Sequence, residues 1–524
     1  MLIITSAQYI GAEFRSEFGA IPPSFLPVGN QRLYRHQLAQ VDQSIRKILT
    51  LPEGYKLSNY DKSWLDDMQV EIVNIPVALS LRESLYFCLN AITDPSNHIR
   101  ILHGDTLIDD IDYNCLDEIA IAYTDEYYQW AGIKEVGEKT LFTDHTDDRT
   151  AGMVVSGYFS FSSYELLKDS LANSQNFISA LNYYSDQKPL KCQHYPKWFD
   201  LGHLHTYFRS KSKITTQRAF NDLDITPRVV NKSSRKKWKM EAEYRWFKDI
   251  PEDLSIYTPH VFGYTDKGHS SSYKIEYLYM SALNELAVFS ALPGVSWQRI
   301  LKACSEFLLA ARNTSGPAEW ISKVDGFHQQ KTQRRLHELQ HSGVFDIYQS
   351  WEINGKAVPS LADIATRCSN KIRPAEASDI KISHGDFCFS NILYDFRVQS
   401  VRVIDPRGSL DDSNFSPYGD ARYDVAKLCH SLLGQYDFIV AEMYQLKRQG
   451  QVISFSLPDN HLFKRVAENF LTEQGCGYNE EEIIPMMINL FISMLPLHDD
   501  CTQRQTALLA NALRLYSNYE ELLA

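Results

Sequence analysis

The sequence predicts an α/β amino-terminal domain on a mixed sheet, followed by an α+β domain of two lobes. Three observations carry this expectation. Apolar strand-like runs alternate with helix-like runs to about residue 210, a short lobe of mixed character follows, and the rest is predominantly helical. The expected divisions are residues 1–210, 211–285 and 286–524, linked by the polar run Arg209-Ser210-Lys211-Ser212-Lys213. A chain of 524 residues with 44% hydrophobic and 23% charged side chains can bury cores of that number and size. No internal repeat or low-complexity segment interrupts it.

The first element is Met1-Leu2-Ile3-Ile4-Thr5, an apolar strand running into a loop that contains Gly11 and Gly19. A strand that ends in such a loop is the Rossmann-like arrangement for a nucleotide. Pro23-Ser24-Phe25-Leu26-Pro27-Val28-Gly29-Asn30 follows, then a helix-like run from Leu33 to Lys47. Ile101-Leu102-His103-Gly104-Asp105 is a second apolar strand, ending in an acid. Val155 to Phe161 is a third, with Gly157 marking either close approach of a ligand or a bulge. His203 and His205 are expected to be surface or helix-end residues, as are His260 and His269.

In the carboxy-terminal part, Ile382-Ser383-His384-Gly385-Asp386-Phe387-Cys388-Phe389-Ser390-Asn391 precedes the strand Val401-Arg402-Val403-Ile404-Asp405. Transfer of a γ-phosphoryl group needs a carboxylate at the attacking hydroxyl and oxygen ligands for Mg²⁺ against the nucleotide phosphates. Asp386 suits the first task, and Asn391 and Asp405 suit the second. Cys388 is expected to pack, because this chemistry uses no covalent nucleophile. The runs Trp297 to Ala311 and Pro417 to Tyr444 carry apolar residues at helical spacing and read as core.

The His-Gly-Asp loop closed by Asn391 resembles the aminoglycoside phosphotransferase and choline kinase superfamily, which implies a bilobal protein-kinase-like fold with ATP as phosphoryl donor. The resemblance implies a strand lysine for the phosphates and a helix glutamate to hold it. Lys232 and Glu243 are the preferred pair, with Glu241 the competitor from the same helix. Tyr273 to Leu278 resembles the strand joining the lobes, where Glu276, Tyr277 and Leu278 would lie at the adenine. Arg218-Ala219-Phe220-Asn221 stands where a turn would cover the phosphates. Gly419 to Leu428 looks like a helix start capped by an aspartate, and Asp424 reads as structural.

The amino-terminal segments resemble the sugar-phosphate nucleotidyltransferases. That resemblance implies a mixed-sheet domain, with Gly11 at the nucleotide and Asp105 and Asp200 holding a metal, the latter within Trp198-Phe199-Asp200-Leu201-Gly202. Two acids converging on one cation answer a physical need, since the attacking phosphate and the triphosphate repel each other. The sequence departs from the pattern at Gln8 and Tyr9, where glycines stand in the family, at Glu13 in place of arginine, and at Ser24 in place of lysine. Arg15 or Arg32 is the candidate for the missing charge, and Lys134 or Lys139 for the substrate phosphate.

A net charge of −12 argues against a nucleic-acid surface. Nine cysteines without a Cys-x-x-Cys pair suit reduced thiols, and no signal-like segment is visible, so a cytoplasmic location is expected. Ile483 to Leu497 contains Pro485 and Asn489 and falls below the ~20 residues of a membrane helix, so no membrane insertion is expected. The whole chain resembles bifunctional bacterial capsule or polysaccharide-biosynthesis proteins. The expectation is ATP-dependent phosphorylation of a sugar, polyol or other small alcohol, and transfer of a nucleotide from CTP, UTP or GTP to the product. Partners are then small molecules and nucleotides, with a homo-oligomer allowed. The rivals are a kinase carrying a noncatalytic nucleotidyltransferase fold, and a ligand-binding protein without turnover.

Overall fold

The computed structural model describes all residues except 127, 137–138, 146–151, 215–221, 460, 474–476 and 524. The chain divides into two compact units, Met1–Thr215 and Thr216–Ala524.

The first unit is built on a nine-stranded mixed sheet. Leu2–Thr5, Lys47–Pro52, Val70–Ile75 and Ile99–His103 run parallel, and Gly152–Phe161 runs antiparallel against Ile99–His103. Leu2–Thr5 is wholly apolar except at its end, as a strand covered on both faces must be. Helices Leu81–Ala91, Tyr164–Ala172 and Phe177–Gln187 pack their apolar sides on one face, where Ile3, Leu85, Ile101, Phe159 and Leu181 share a core. Ser80 and Asn176 close capping boxes at two of these helix starts.

One sequence expectation needs correction here. The helix expected from Leu33 to Lys47 ends at Ala39, and Lys47 already begins a strand. The Asp42 carboxylate accepts the Ser44 amide at 2.8 Å, a local turn that competes with helix. The polar run Arg209 to Lys213, expected as the linker, is the end of helix Leu204–Lys213, where lysines suit the negative pole, and the division between the units follows it at Thr215.

The second unit opens with a four-stranded antiparallel sheet in the order Asp222–Ile225, Val229–Ser234, Ser271–Glu276, Val261–Asp266, against which helix Lys237–Asp249 packs. The larger part is helical. Glu480–Met494, buried along most of its length, packs against Phe327–Ser342, Leu361–Lys371, Ala421–Leu432 and Thr502–Asn518. Pro485 lies inside that helix, beyond its first turn, and so removes the amide that would reach back to the Glu481 carbonyl. The segment expected as one helical run from Pro417 to Tyr444 is instead strand Tyr418–Asp420, helix Ala421–Leu432 and helix Tyr436–Val440, broken where Gln435 adopts a φ of 53°. A further four-stranded sheet, Lys356–Val358, Trp351–Ile353, Val452–Ser456 and Gln445–Gln449, interrupts the helical lobe. Among the described residues no helix is long and apolar enough to cross a membrane, and the cysteines are free thiols.

Candidate functional site

In the second unit the chain brings a lysine, three acids and an amide together from four separate elements. Lys232 lies mid-strand opposite Tyr273. Its Nζ reaches Glu243 Oε2 at 2.6 Å and Asp405 Oδ1 at 3.0 Å, and the Tyr273 hydroxyl donates to the same Glu243 oxygen at 2.7 Å. Burial works against the Lys232 cation, but the two carboxylates hold its pKa above the ordinary value. Glu241, the competitor, faces outward and pairs with Arg245 one turn on.

The loop from His384 to Asn391 is fixed from inside. Asp424 accepts the amides of His384 and Gly385, each at 2.7 Å. Burial pushes its carboxyl up to about 7, the two amides only partly offsetting that. The aspartate that caps helix Ala421–Leu432 is Asp420, which takes the Arg422 amide. His384 is buried, which brings its pKa down to about 4, so the ring is neutral. Its Nδ1 accepts the Asp386 amide at 3.3 Å and its Nε2 donates to the Ile404 carbonyl at 3.0 Å, tying the loop to the strand that carries Asp405. Trp246 Nε1 donates to the Ser383 carbonyl at 2.8 Å and anchors the loop to the helix of Glu243.

Asn391 donates to both the backbone and the side chain of Asp386, at 2.9 and 3.1 Å. That bond fixes which way the amide faces and turns its oxygen away from Asp386. The other Asp386 oxygen meets Lys427 Nζ at 2.7 Å. Burial alone would raise the Asp386 carboxyl, yet the ammonium holds it well below the usual carboxylate range. Asp405 sits at a φ of 58°, a left-handed conformation that an aspartate tolerates at small cost. Cys388 packs beside Asp386, and burial pushes its thiol up to about 12, leaving it protonated.

Among the described residues no three His, Cys, Asp or Glu side chains are grouped to hold a metal alone. Asn391 and Asp405 therefore supply a partial set of hard oxygen donors. Such a set suits Mg²⁺, which keeps water and takes phosphate oxygens as its remaining ligands. Glu276 ends its strand exposed, with its carboxylate on the His260 amide, and the Leu278 carbonyl accepts the Met280 amide. Arg218 lies outside the described residues. Lys427 and Tyr273 were missed from the sequence. The one available signal was that Asp424 and Lys427 stand three apart on one helix, and so on one face.

The first unit also gathers two acids. The short strands Thr106–Ile108 and Trp198–Asp200 pair so that Asp200 lies opposite Thr106, beside Asp105. Gly202 passes so close that a Cβ there would stand 2.5 Å from Asp105 Oδ2 and 3.4 Å from Asp200 Oδ1. Burial raises the Asp105 carboxyl, His103 opposes the rise, and Asp200 adds to it. Asp200 in turn accepts from Thr206 and meets His203 Nδ1 at 2.8 Å. His203 stands at a helix end as expected, the N-cap of Leu204–Lys213, and is also part of this centre, stacked on Tyr128 with ring centres 4.0 Å apart.

Of the cations sought for this site, two are paired with other acids. Arg32 is buried in an ion pair with Asp61 at 2.8 Å, Arg15 Nε donates to the Ile10 carbonyl, and Lys139 meets Asp186 on the surface. Lys134 is exposed on the strand Gly132–Val136. Ser24 is buried and closed onto the Ser6 hydroxyl at 2.7 Å. Gly11 caps helix Ala12–Phe18 in extended backbone with open space around it.

Residues 219–447 match the sequence model of the phosphotransferase enzyme family. The chain is a transferase. No curated protein matches it. Among solved structures, a glucose-1-phosphate thymidylyltransferase from Bacillus anthracis is similar at 12% identity, covering 41% of this chain and 95% of its own, with a TM-score of 0.35. HddC from Yersinia pseudotuberculosis is similar at 18% identity, covering 41% and 98%, with a TM-score of 0.31. An aminoglycoside-3'-phosphotransferase of type VIII is similar at 12% identity, covering 53% and 94%, with a TM-score of 0.32.

Proposed function

We propose that the second unit transfers the γ-phosphoryl group of ATP to the hydroxyl of a small alcohol, a sugar or polyol by class. The observation that carries this reading is the joint placement of Lys232, Glu243 and Asp405 on one side and Asp386 with Asn391 on the other. Lys232, oriented by Glu243, would draw the α- and β-phosphates, while Asn391 and Asp405 would hold Mg²⁺. The metal, when bound, neutralises charge on the phosphates. Asp386, ionised and held by Lys427 and Asn391, accepts the hydroxyl proton as the acceptor oxygen bonds to the γ-phosphorus and the bond to the β-bridging oxygen breaks, releasing ADP. Glu276 to Leu278 would lie along the adenine, and Arg218 near the phosphates.

For the first unit we propose nucleotidyl transfer from CTP, UTP or GTP to the phosphorylated product, with Asp105 and Asp200 as metal ligands. Phosphorylation followed by nucleotidyl transfer is the order that makes an activated precursor for a capsule or surface polysaccharide. A second reading has its own support: with Ser24 closed and Arg32 engaged by Asp61, this unit holds ligand without turning it over. Both readings place the work in the cytoplasm, where ATP is made.

Incubating the chain with MgATP and a panel of neutral and charged alcohols, with products read by mass spectrometry, tests the kinase. A product heavier by one phosphoryl group, absent with Asp386→Ala, is the expected result; no product from any alcohol counts against it. Pyrophosphate release from CTP, UTP or GTP that is lost only with Asp105→Ala supports nucleotidyl transfer, and its absence with every nucleotide supports the second reading.

A further inference from the structure

A second set of charged side chains reaches the loop of Asp386 from helices Phe327–Ser342 and Ala421–Leu432 and from the segment after Asp405. Lys331 Nζ donates to the Tyr423 hydroxyl at 3.2 Å. His328 stacks flat on the Tyr423 ring, 4.0 Å between centres and 5° between planes. Tyr423 lies one helical turn before Lys427, so its ring and the ammonium that meets Asp386 share one face of the helix.

Arg407 completes the set. Its amide donates to the His384 carbonyl at 2.8 Å and its guanidinium lies 5.3 Å from the centre of the Phe327 ring. It packs directly on Gly385, where φ is +73° and a Cβ would stand 2.6 Å from Arg407 Cβ. Gly385, Arg407, His328 and Tyr423 line one small pocket.

Three cations, Lys331, Arg407 and Lys427, thus lie close enough to act on one another beside the Asp386 loop. Lys427 has Asp386 as partner, but among the described residues no carboxylate lies within ion-pair distance of Lys331 or Arg407. The crowding registers on the groups between them. Burial lowers the pKa of Lys331, and Arg407 and Lys427 lower it further. Burial alone would raise the Tyr423 hydroxyl, yet Lys331, Lys427 and Arg407 together bring it below its ordinary value. Half-buried cations with no carboxylate in ion-pair distance raise the positive potential beside the Asp386 loop. Pairing them with an anion would offset the cost of keeping them there.

We propose that the alcohol phosphorylated at Asp386 carries a negative charge of its own, a carboxylate or a phosphate, which Lys331 and Arg407 bind. This rests on the kinase reading, and it narrows the substrate class from neutral sugars and polyols to sugar acids, sugar phosphates and their short-chain counterparts. Orientation follows from it: with the anion held by Lys331 and Arg407, a hydroxyl on the same molecule is positioned at Asp386.

The test needs no knowledge of the acceptor. The full chain is loaded with MgAMP-PNP, which fills the nucleotide's own phosphate contacts, and is then titrated calorimetrically with inorganic phosphate and, separately, with acetate. Binding of at least one anion is expected, weakened tenfold or more by Lys331→Met and by Arg407→Met, and retained in Lys331→Arg. Which anion binds tells a phosphate-bearing from a carboxylate-bearing acceptor. Undiminished MgAMP-PNP binding in each variant shows that the fold survives. If MgAMP-PNP binds but neither anion shows a site sensitive to these substitutions, the inference alone falls. If the unaltered chain fails to bind MgAMP-PNP, the kinase reading falls and the inference with it.

Discussion

The two acidic centres meet the same charge problem differently. In the second unit Asp405 faces Lys232 and Asp386 faces Lys427, so each acid has a cation before any ligand arrives. In the first unit Asp105 and Asp200 face each other, and among the described residues no lysine or arginine lies within ion-pair distance of either; His103, His203, Thr206, Thr106 and the Gly202 amide relieve them. The first arrangement is assembled by the protein itself: Lys427 holds the Asp386 carboxyl below the usual carboxylate range against burial, and Lys232 is shared by Asp405 and by Glu243, whose carboxyl burial raises. The second is raised in energy until a cation comes. A preassembled site is thus separated from one that, on the proposed reading, would depend on a metal, although both were chosen from the sequence by the same kind of strand-end acid.

The comparison breaks most sharply on Asp386→Asn. This change keeps the shape and removes the base, so ADP formation from MgATP and an accepted alcohol is expected to fall about 10²- to 10⁴-fold. Pyrophosphate release, if the first unit makes it, should not change. Loss of both together would mean that the two centres are not independent.

Lys232→Met comes next. It strands Glu243 and Asp405 in buried surroundings, a change of about 3–5 kcal/mol when one partner of a buried pair is removed. Urea unfolding should show that loss in the transition of the second unit alone. Restoring stability with the added change Glu243→Gln would confirm stranded charge as the cause.

Asp105→Asn should act in the opposite direction. Because the folded pKa of Asp105 lies above its unfolded value, ionisation between the two costs stability; the cost is absent below the unfolded pKa and complete above the folded one. Without divalent cation at neutral pH the variant is expected to melt higher than the unaltered chain. The advantage should vanish at a pH below the ordinary aspartate range, and added Mg²⁺ should stabilise only the unaltered chain. A lower melting temperature at neutral pH would contradict the account of this centre. The smallest effect belongs to Lys139→Ala: its pair with Asp186 is exposed on both sides, so stability should move by less than about 1 kcal/mol and pyrophosphate release not at all.

The parts legible in the sequence were those in which chemistry and chain order coincide. His384 to Asn391 is one loop, so its spacing already contains its geometry, and Asp405 follows one strand later. Asp105 and Asp200 were legible because a strand end presents its acid at the edge of a sheet. What escaped depended on contacts that spacing does not encode. Lys427 reaches Asp386 only because one face of its helix meets the loop. Tyr273 joins Glu243 through cross-strand register. Arg32 looked available until folding set it on Asp61, twenty-nine residues away. His203 looked like an ordinary helix end until its cap position placed it on Asp200. The sheet Lys356–Val358, Trp351–Ile353, Val452–Ser456 and Gln445–Gln449 was hidden by distance, since its halves lie about a hundred residues apart in the chain.

The dependence of AMP-PNP affinity on Mg²⁺, measured for the unaltered chain and for Asp405→Asn, tests the central claim most directly. Affinity that rises at least tenfold with Mg²⁺ in the unaltered chain, and no longer responds to Mg²⁺ in the variant, is the expected result. Affinity indifferent to Mg²⁺, or a response that survives the substitution, would contradict it.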